Sequence, residues 1–261
     1  MTQPTLLDTA HAVMEAAPQD DALRLRFFER LADGELFLLL DREPQGDGID
    51  PRIFDTEDGR FVLAFDREER LAEFAGGIAP YAALSGRTLA AMLTGQGLGL
   101  ALNPDVAPSA MLLDPDAIAW LADTLARAPQ QTTARARELS PPTGLPETLV
   151  TALDAKLASM AGRADLAYLA DVTYDSGVRG HLLAFIGAAP GAEGALARAV
   201  NEALAFSGLE AGSLDAVFLR ATDPVAARLA RVGLRFDLPR PEAPAPRRAP
   251  GSDPESPPIL R

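Results

Sequence analysis

The chain has 261 residues, 48% of them hydrophobic, enough for one large domain or two of ordinary size with their own cores. A formal charge of −13 argues against nucleic acid or an anionic membrane as partner, because phosphate binding needs a clustered basic footprint. The absence of cysteine excludes disulfides, thiolate catalysis and thiolate metal sites. Lys156 is the sole lysine, so arginine carries nearly all the positive charge, a bias that reads as GC-rich coding.

Residues 1–17 carry no basic segment ahead of an apolar one and no small-residue cleavage site, so no signal peptide is expected. No apolar run reaches the roughly 20 residues that span a bilayer. A cytoplasmic protein is the simplest expectation. Leu6, Leu7, Ala10, Val13 and Met14 follow helical spacing, and Leu23, Phe27, Phe28 and Leu31 repeat it after a break at Pro18-Gln19-Asp20. Residues 35–40 form a compact apolar run, read as a buried strand. A second strand at 52–55 turns at Asp58-Gly59 into a third, where Phe61, Leu63 and Phe65 alternate with Val62 and Ala64. Both faces of that third strand are apolar, as suits an inner strand.

Asp66 then switches the period, and with Glu69 it is expected to form a capping box on a helix carrying Leu71 and Phe74. A strand at 81–84 follows, then a helix with Leu89, Met92 and Leu93, the glycines Gly95, Gly97 and Gly99, and a strand at 98–102 stopped by Asn103-Pro104. Residues 110–113 extend the set, and Asp114-Pro115 opens a helix with Ile118, Leu121 and Leu125 on its buried stripe.

Residues 128–145 are polar, contain proline and lack apolar periodicity, as an interdomain linker does. The chain therefore divides into an α/β domain at 1–127, that linker, an α+β domain at 146–238, and a Pro-rich tail at 239–261 expected to be disordered. In the second domain a helix leads into a hairpin of 168–174 and 181–186, turning at Asp175-Ser176-Gly177. A helix ending at Gly208, a strand at 214–220 and a helix opened by Asp223-Pro224 complete it.

The segments FVLAFDREERLAEF, YAALSGRTLAAML and GLGLALNP together resemble the N-terminal domain of the SseB family, named for an enhanced-serine-sensitivity phenotype. RGHLLAFIG, with the helix before Gly208, is similar to that family's C-terminal domain. The resemblance implies a bacterial protein of two α/β modules and brings no catalytic residue or cofactor with it.

No chemistry-bearing set is complete. Around Gly95, Gly97 and Gly99 the order is helix, glycines, strand, the reverse of a dinucleotide-binding turn, so these residues read as a tight connection. His181 lies in a strand opposite Asp171 and Asp175, where a histidine can act as general base or metal ligand. No second histidine and no nucleophile elbow accompany it, so a hydrogen-bonded structural role is preferred. Asp47, Asp50, Asp55, Glu57 and Asp58 lack the spacing of a calcium loop and read as solvated acids. Arg87, Asn103, Trp120 and His181 remain as candidate interaction residues: Arg87 for an anion at its helix start, against the commoner solvated arginine; Asn103 against an ordinary strand-ending turn; and Trp120 packed by default, an interface anchor if partly exposed.

The expectation is a non-catalytic protein of the SseB type, without cofactor or metal, acting through contacts with another protein and responsive to a small metabolite. A chaperone-like or secretion-accessory protein is the second reading and requires an exposed apolar groove. A hydrolase or transferase centred on His181 is the third and requires a pocket around that residue.

Overall fold

A computed structural model describes residues 3–44, 48–57, 59–127, 135–208 and 214–240. Its helices and strands form two modules, each built on its own mixed sheet. The first module opens with two helices, α1 (Leu6–Ala16) and α2 (Asp21–Asp33). Strands β1 (Glu35–Leu39), β2 (Ile53–Thr56) and β3 (Gly59–Phe65) follow, then α3 (Glu68–Ala75), β4 (Tyr81–Ser85), α4 (Gly86–Leu93), β5 (Gly99–Leu102), β6 (Met111–Leu113) and α5 (Pro115–Ala126). The sheet runs β4-β1-β3-β5-β6, with β2 beside part of β3.

Strand β3 is central because both of its faces are apolar. Val62 and Ala64 point into the larger core, against Leu36, Leu38, Leu100 and Leu102 and the helices α1, α2, α4 and α5. Phe61, Leu63 and Phe65 point the other way, into a smaller aromatic core closed by Leu71 of α3. The parallel pairing of β3 with β5 brings Gly99 beneath Phe61, where a Cβ would lie 2.5 Å from the ring. Gly95 and Gly97 take left-handed φ values of 78° and 65° in the turn between α4 and β5, so this stretch is the helix-to-strand connection expected from its order.

The second module contains β7 (Ala136–Ser140), α6 (Glu147–Ala158), β8 (Leu166–Tyr174), β9 (Arg179–Ile186), α7 (Glu193–Phe206), β10 (Leu214–Leu219), α8 (Pro224–Val232) and β11 (Leu234–Asp237). Its sheet runs β10-β9-β8-β11, with β7 also paired to β8. Helices α6 and α7 cover one face through Leu149, Leu153, Leu196 and Val200, and Leu229 of α8 packs on Ala170 and Ala184 of the other. The hairpin turn of β8 and β9 holds Gly177 at a φ of 84°.

Three local expectations are corrected. Asp66 does not cap α3: the N-cap is Arg67 without a side-chain bond, because the Asp66 carboxylate is taken by Thr5 and Arg70. Residues 136–140, read as linker, form β7, since ladder bonds to β8 satisfy a polar backbone without any apolar pattern of its own. The short β11 pairs with β8, where Phe236 alone of its four side chains is buried, too little to set a period. Residues 128–134 of the expected linker, Asp47, Asp58, and the tail from 241 onward with Arg247-Arg248, lie outside the described residues.

Candidate functional site at the seam between the modules

The four candidate interaction residues fall into three places. Arg87 and Trp120 lie where the modules meet, Asn103 is buried inside the first module, and His181 lies on the sheet of the second. The structure does not bring them together into one site.

At the seam, α2 and α4 of the first module face α6 and α7 of the second. Arg87, near the start of α4, donates to both carboxylate oxygens of Glu202 at 2.9 and 3.2 Å and also to Asp33. Lys156, reaching from α6, lies 2.7 Å from Asp33, 2.7 Å from Glu202 and 3.9 Å from Glu29. Two cations thus hold three carboxylates contributed by both modules. Lys156 is 6% exposed and Glu202 4%, so these charges are out of water and are tolerable only because they are paired. Burial alone would raise the Glu202 carboxyl, but the hydrogen bond from Arg87 and the charge of Lys156 outweigh it and hold it below its ordinary value. At Glu29 burial wins over the more distant Lys156, and its carboxyl is pushed up. The guanidinium of Arg87 is held firmly protonated by its bonds to Glu202 and Asp33.

Apolar contacts surround this cluster. Phe206, the last residue of α7, is 3% exposed and belongs to the core of the first module. Trp120 of α5 stands edge-on to Phe28 at 5.1 Å and to Phe206 at 6.4 Å while staying 39% exposed, so it packs at the seam and keeps an outward face. Asn201 on α7 donates to the carbonyl of Arg127 at 3.2 Å. A crevice of about 60 Å³ opens between α2 and the α6–α7 pair, lined by Arg26, Glu29, Thr148 and Ser207 among others. Small-molecule sites run from about 300 Å³ upward, so this crevice suits water rather than a metabolite.

Asn103 serves the fold. Its φ of 45° ends β5, its side-chain oxygen accepts from the Asp66 backbone at 3.0 Å, and its amide donates to Ser109 at 3.0 Å. Ser109 in turn donates to Asp8 at 2.5 Å, and Asp8 is clamped by Arg70 at 2.5 and 3.0 Å. This buried network ties α1 to α3 and to the loop after β5. Burial would raise the Asp8 carboxyl, yet Arg70, Ser109 and the Thr5 amide together hold it well below the usual carboxylate range.

His181 pairs in register with Asp171, its ring nitrogen 3.1 Å from that carboxylate and 3.3 Å from the carbonyl of Thr143. Thr143 donates its hydroxyl back to Asp171 at 2.6 Å. The three residues stitch the loop ahead of α6 onto the hairpin. Asp175 is exposed in the hairpin turn, and His181 lines neither the seam crevice nor the shallow dish beside it formed around Ala17, Asp21 and Gly208. Of the acidic loop residues, Asp50 pairs with Arg42 and Asp55 with Arg60. Among the described residues no group of histidine and carboxylate side chains is arranged to hold a metal ion. No helix among them is long and apolar enough to cross a membrane.

The signal for the seam was present but unpaired in the sequence. Arg87 was visible at a helix start and Lys156 as the single lysine, but Glu202 lies 115 positions from Arg87 and no spacing rule connects them.

The fold and the seam together define a two-module α+β protein whose buried charges join its halves. Residues 10–120 match the family model described as SseB protein N-terminal domain. Over that stretch the first module is an SseB-type N-terminal domain. The match ends within α5 and does not reach the second module. No curated protein and no solved structure matches the chain.

Proposed function

We propose that this chain is a non-catalytic, cytoplasmic SseB-family protein that acts through surface contacts with another protein and is linked to serine sensitivity through that contact. The observation that carries the reading is the fate of its polar side chains: among the described residues, no buried side-chain nitrogen or oxygen lacks a hydrogen-bond partner. A general base also needs a pocket that admits substrate, and His181 lines neither the seam crevice nor the dish beside it. His181, Asp171, Asp8, Arg70, Lys156 and Glu202 are all engaged within the fold. The large exposed hydrophobics, Leu6 and Val13 of α1 with Ile53, Ile78, Leu112, Trp120, Val178 and Leu234, are scattered over both modules, which favours a specific contact over the client-binding groove of a holdase.

The test is capture of partners from the native cell by the tagged full chain, with the double replacement His181→Ala and Asp171→Ala alongside. The reading expects a discrete cross-linked partner retained by both proteins. A substrate turned over by the wild type and lost in the correctly folded double variant would contradict it.

A further inference from the structure

Strand β4 is the edge of the first sheet and pairs only with β1. Leu40 donates to the Pro80 carbonyl at one end of this pairing and Gly86 to Gly34 at the other. In an antiparallel ladder the bonded residues alternate, so Ala82 and Leu84 face β1 while the backbone groups of Tyr81 and Ala83 face outward, up to Ser85, which caps α4. An open row of this kind is a template for an added strand. Beside it, on the α3 side of the sheet, Tyr81 and Phe37 form a half-exposed edge-to-face pair at 5.4 Å.

The surroundings of that pair are acidic. Glu35 shares the β1 face of Phe37, and the charges of Glu68 at the start of α3 and Glu43 after β1 also act on Tyr81; all three glutamates are exposed. The Tyr81 hydroxyl is pushed up by the Glu68 carboxylate, by desolvation and by the charges of Glu35 and Glu43. Among the described residues these three glutamates form no ion pair, and the nearby cations are spent elsewhere, Arg42 on Asp50 and Arg52 on Asp41. The open edge of β10, by contrast, carries one acid, Asp215, which accepts from Tyr174 at 2.5 Å.

Resting on the contact reading above, we propose that the β4 edge, with Phe37, Tyr81 and the three glutamates beside it, docks an extended basic segment of a partner protein. The partner backbone adds to the ladder at Tyr81 and Ala83. Its arginine or lysine side chains lie over the aromatic pair and against Glu35, Glu43 and Glu68.

The experiment is fluorescence anisotropy with a short labelled peptide of alternating arginine and valine, at low salt, on the full chain. The variants are Glu35→Lys with Glu68→Lys, Ala83→Pro on the edge, and a control reversing Glu138 and Asp154, exposed acids of the second module. Binding by the wild type, weakened about tenfold or more by each β4-side variant and less than about twofold by the control, is the expected result. No binding by the wild type, or equal weakening by the control, overturns the proposal. A cellular partner still captured by the correctly folded Glu35→Lys, Glu68→Lys chain also removes this face, while the contact reading survives; that reading fails only if the wild type captures none.

Discussion

Lys156 of the second module holds Asp33 of the first at 2.7 Å, and the same ammonium group reaches Glu202 at 2.7 Å. The only lysine in the chain is therefore the centre of the module joint, where two cations are shared among three acids. Removing a partner from a buried pair leaves an uncompensated charge, so Lys156→Ala is expected to cost about 3–5 kcal/mol in urea unfolding. A loss below about 1 kcal/mol, the size of an exposed ion pair, would show that the joint is solvated.

Phe206 is the apolar counterpart of this ion cluster. It belongs to α7 yet packs in the first core, so Phe206→Ala empties a cavity in the neighbouring module. The expected loss is about 3–5 kcal/mol, accompanied by a change in Trp120 fluorescence because Trp120 faces the lost ring. An unchanged emission spectrum would contradict the contact.

The joint also sets a pH dependence with opposite slopes. Glu29 is raised by burial, with the Asp33 charge adding to it, against the nearby charges of Lys156, Arg30 and Arg26. A raised carboxyl stabilises fully below its ordinary 4.5, and that contribution is lost as pH climbs through its folded value. Glu29→Gln is therefore expected to flatten the decline of stability on this upper side, measured as the urea midpoint across pH. Glu202 acts in the other direction: being lowered, its contribution is present above 4.5 and lost as pH falls through its folded value.

Asp8 gives a separate acid limb in the first module. Its lowered carboxyl stabilises above its ordinary 3.8 and loses that contribution on further acidification, loosening α1. Asp8→Asn is expected to reduce amide-exchange protection in α1 at neutral pH, through loss of charge on the Arg70 clamp, more than in α6. Equal exchange in both helices would mean that the network does not hold α1.

Gly86 begins α4 against the end of α2, and a Cβ there would lie 1.8 Å from the Leu31 carbonyl oxygen. Backbone on both sides cannot yield cheaply, so Gly86→Ala is expected to destabilise by more than about 1 kcal/mol and to disturb Arg87 on the next residue. A neutral outcome in thermal unfolding would show that α2 and α4 are more loosely packed than described.

Most of the first module was legible because its signals are local. Alternation in Phe61 to Phe65 fixed β3 as an inner strand, and Asp114 caps α5 by accepting from Ala117 at 2.7 Å, as its Asp-Pro pair indicates. Asp66 misled because an aspartate ahead of a helix has the same local pattern whether its carboxylate turns to the helix amides or to Arg70. The seam was not legible at all. Arg87 resembled an anion-binding helix residue and Trp120 an outward anchor, and both descriptions suit a residue awaiting a partner. For Arg87 the partner is Glu202 of the second module, whereas Trp120 packs on Phe28 and Phe206 and stays partly exposed.

The most direct test of this joined body uses its own two probes. Urea unfolding is followed at once by Trp120 fluorescence and by amine labelling of Lys156 read by mass spectrometry. The account predicts that Lys156 is protected in the native state and becomes reactive over the same urea range in which Trp120 emission shifts. Labelling of Lys156 at the rate of a free amine in native buffer, or at urea concentrations well below the fluorescence transition, would contradict it.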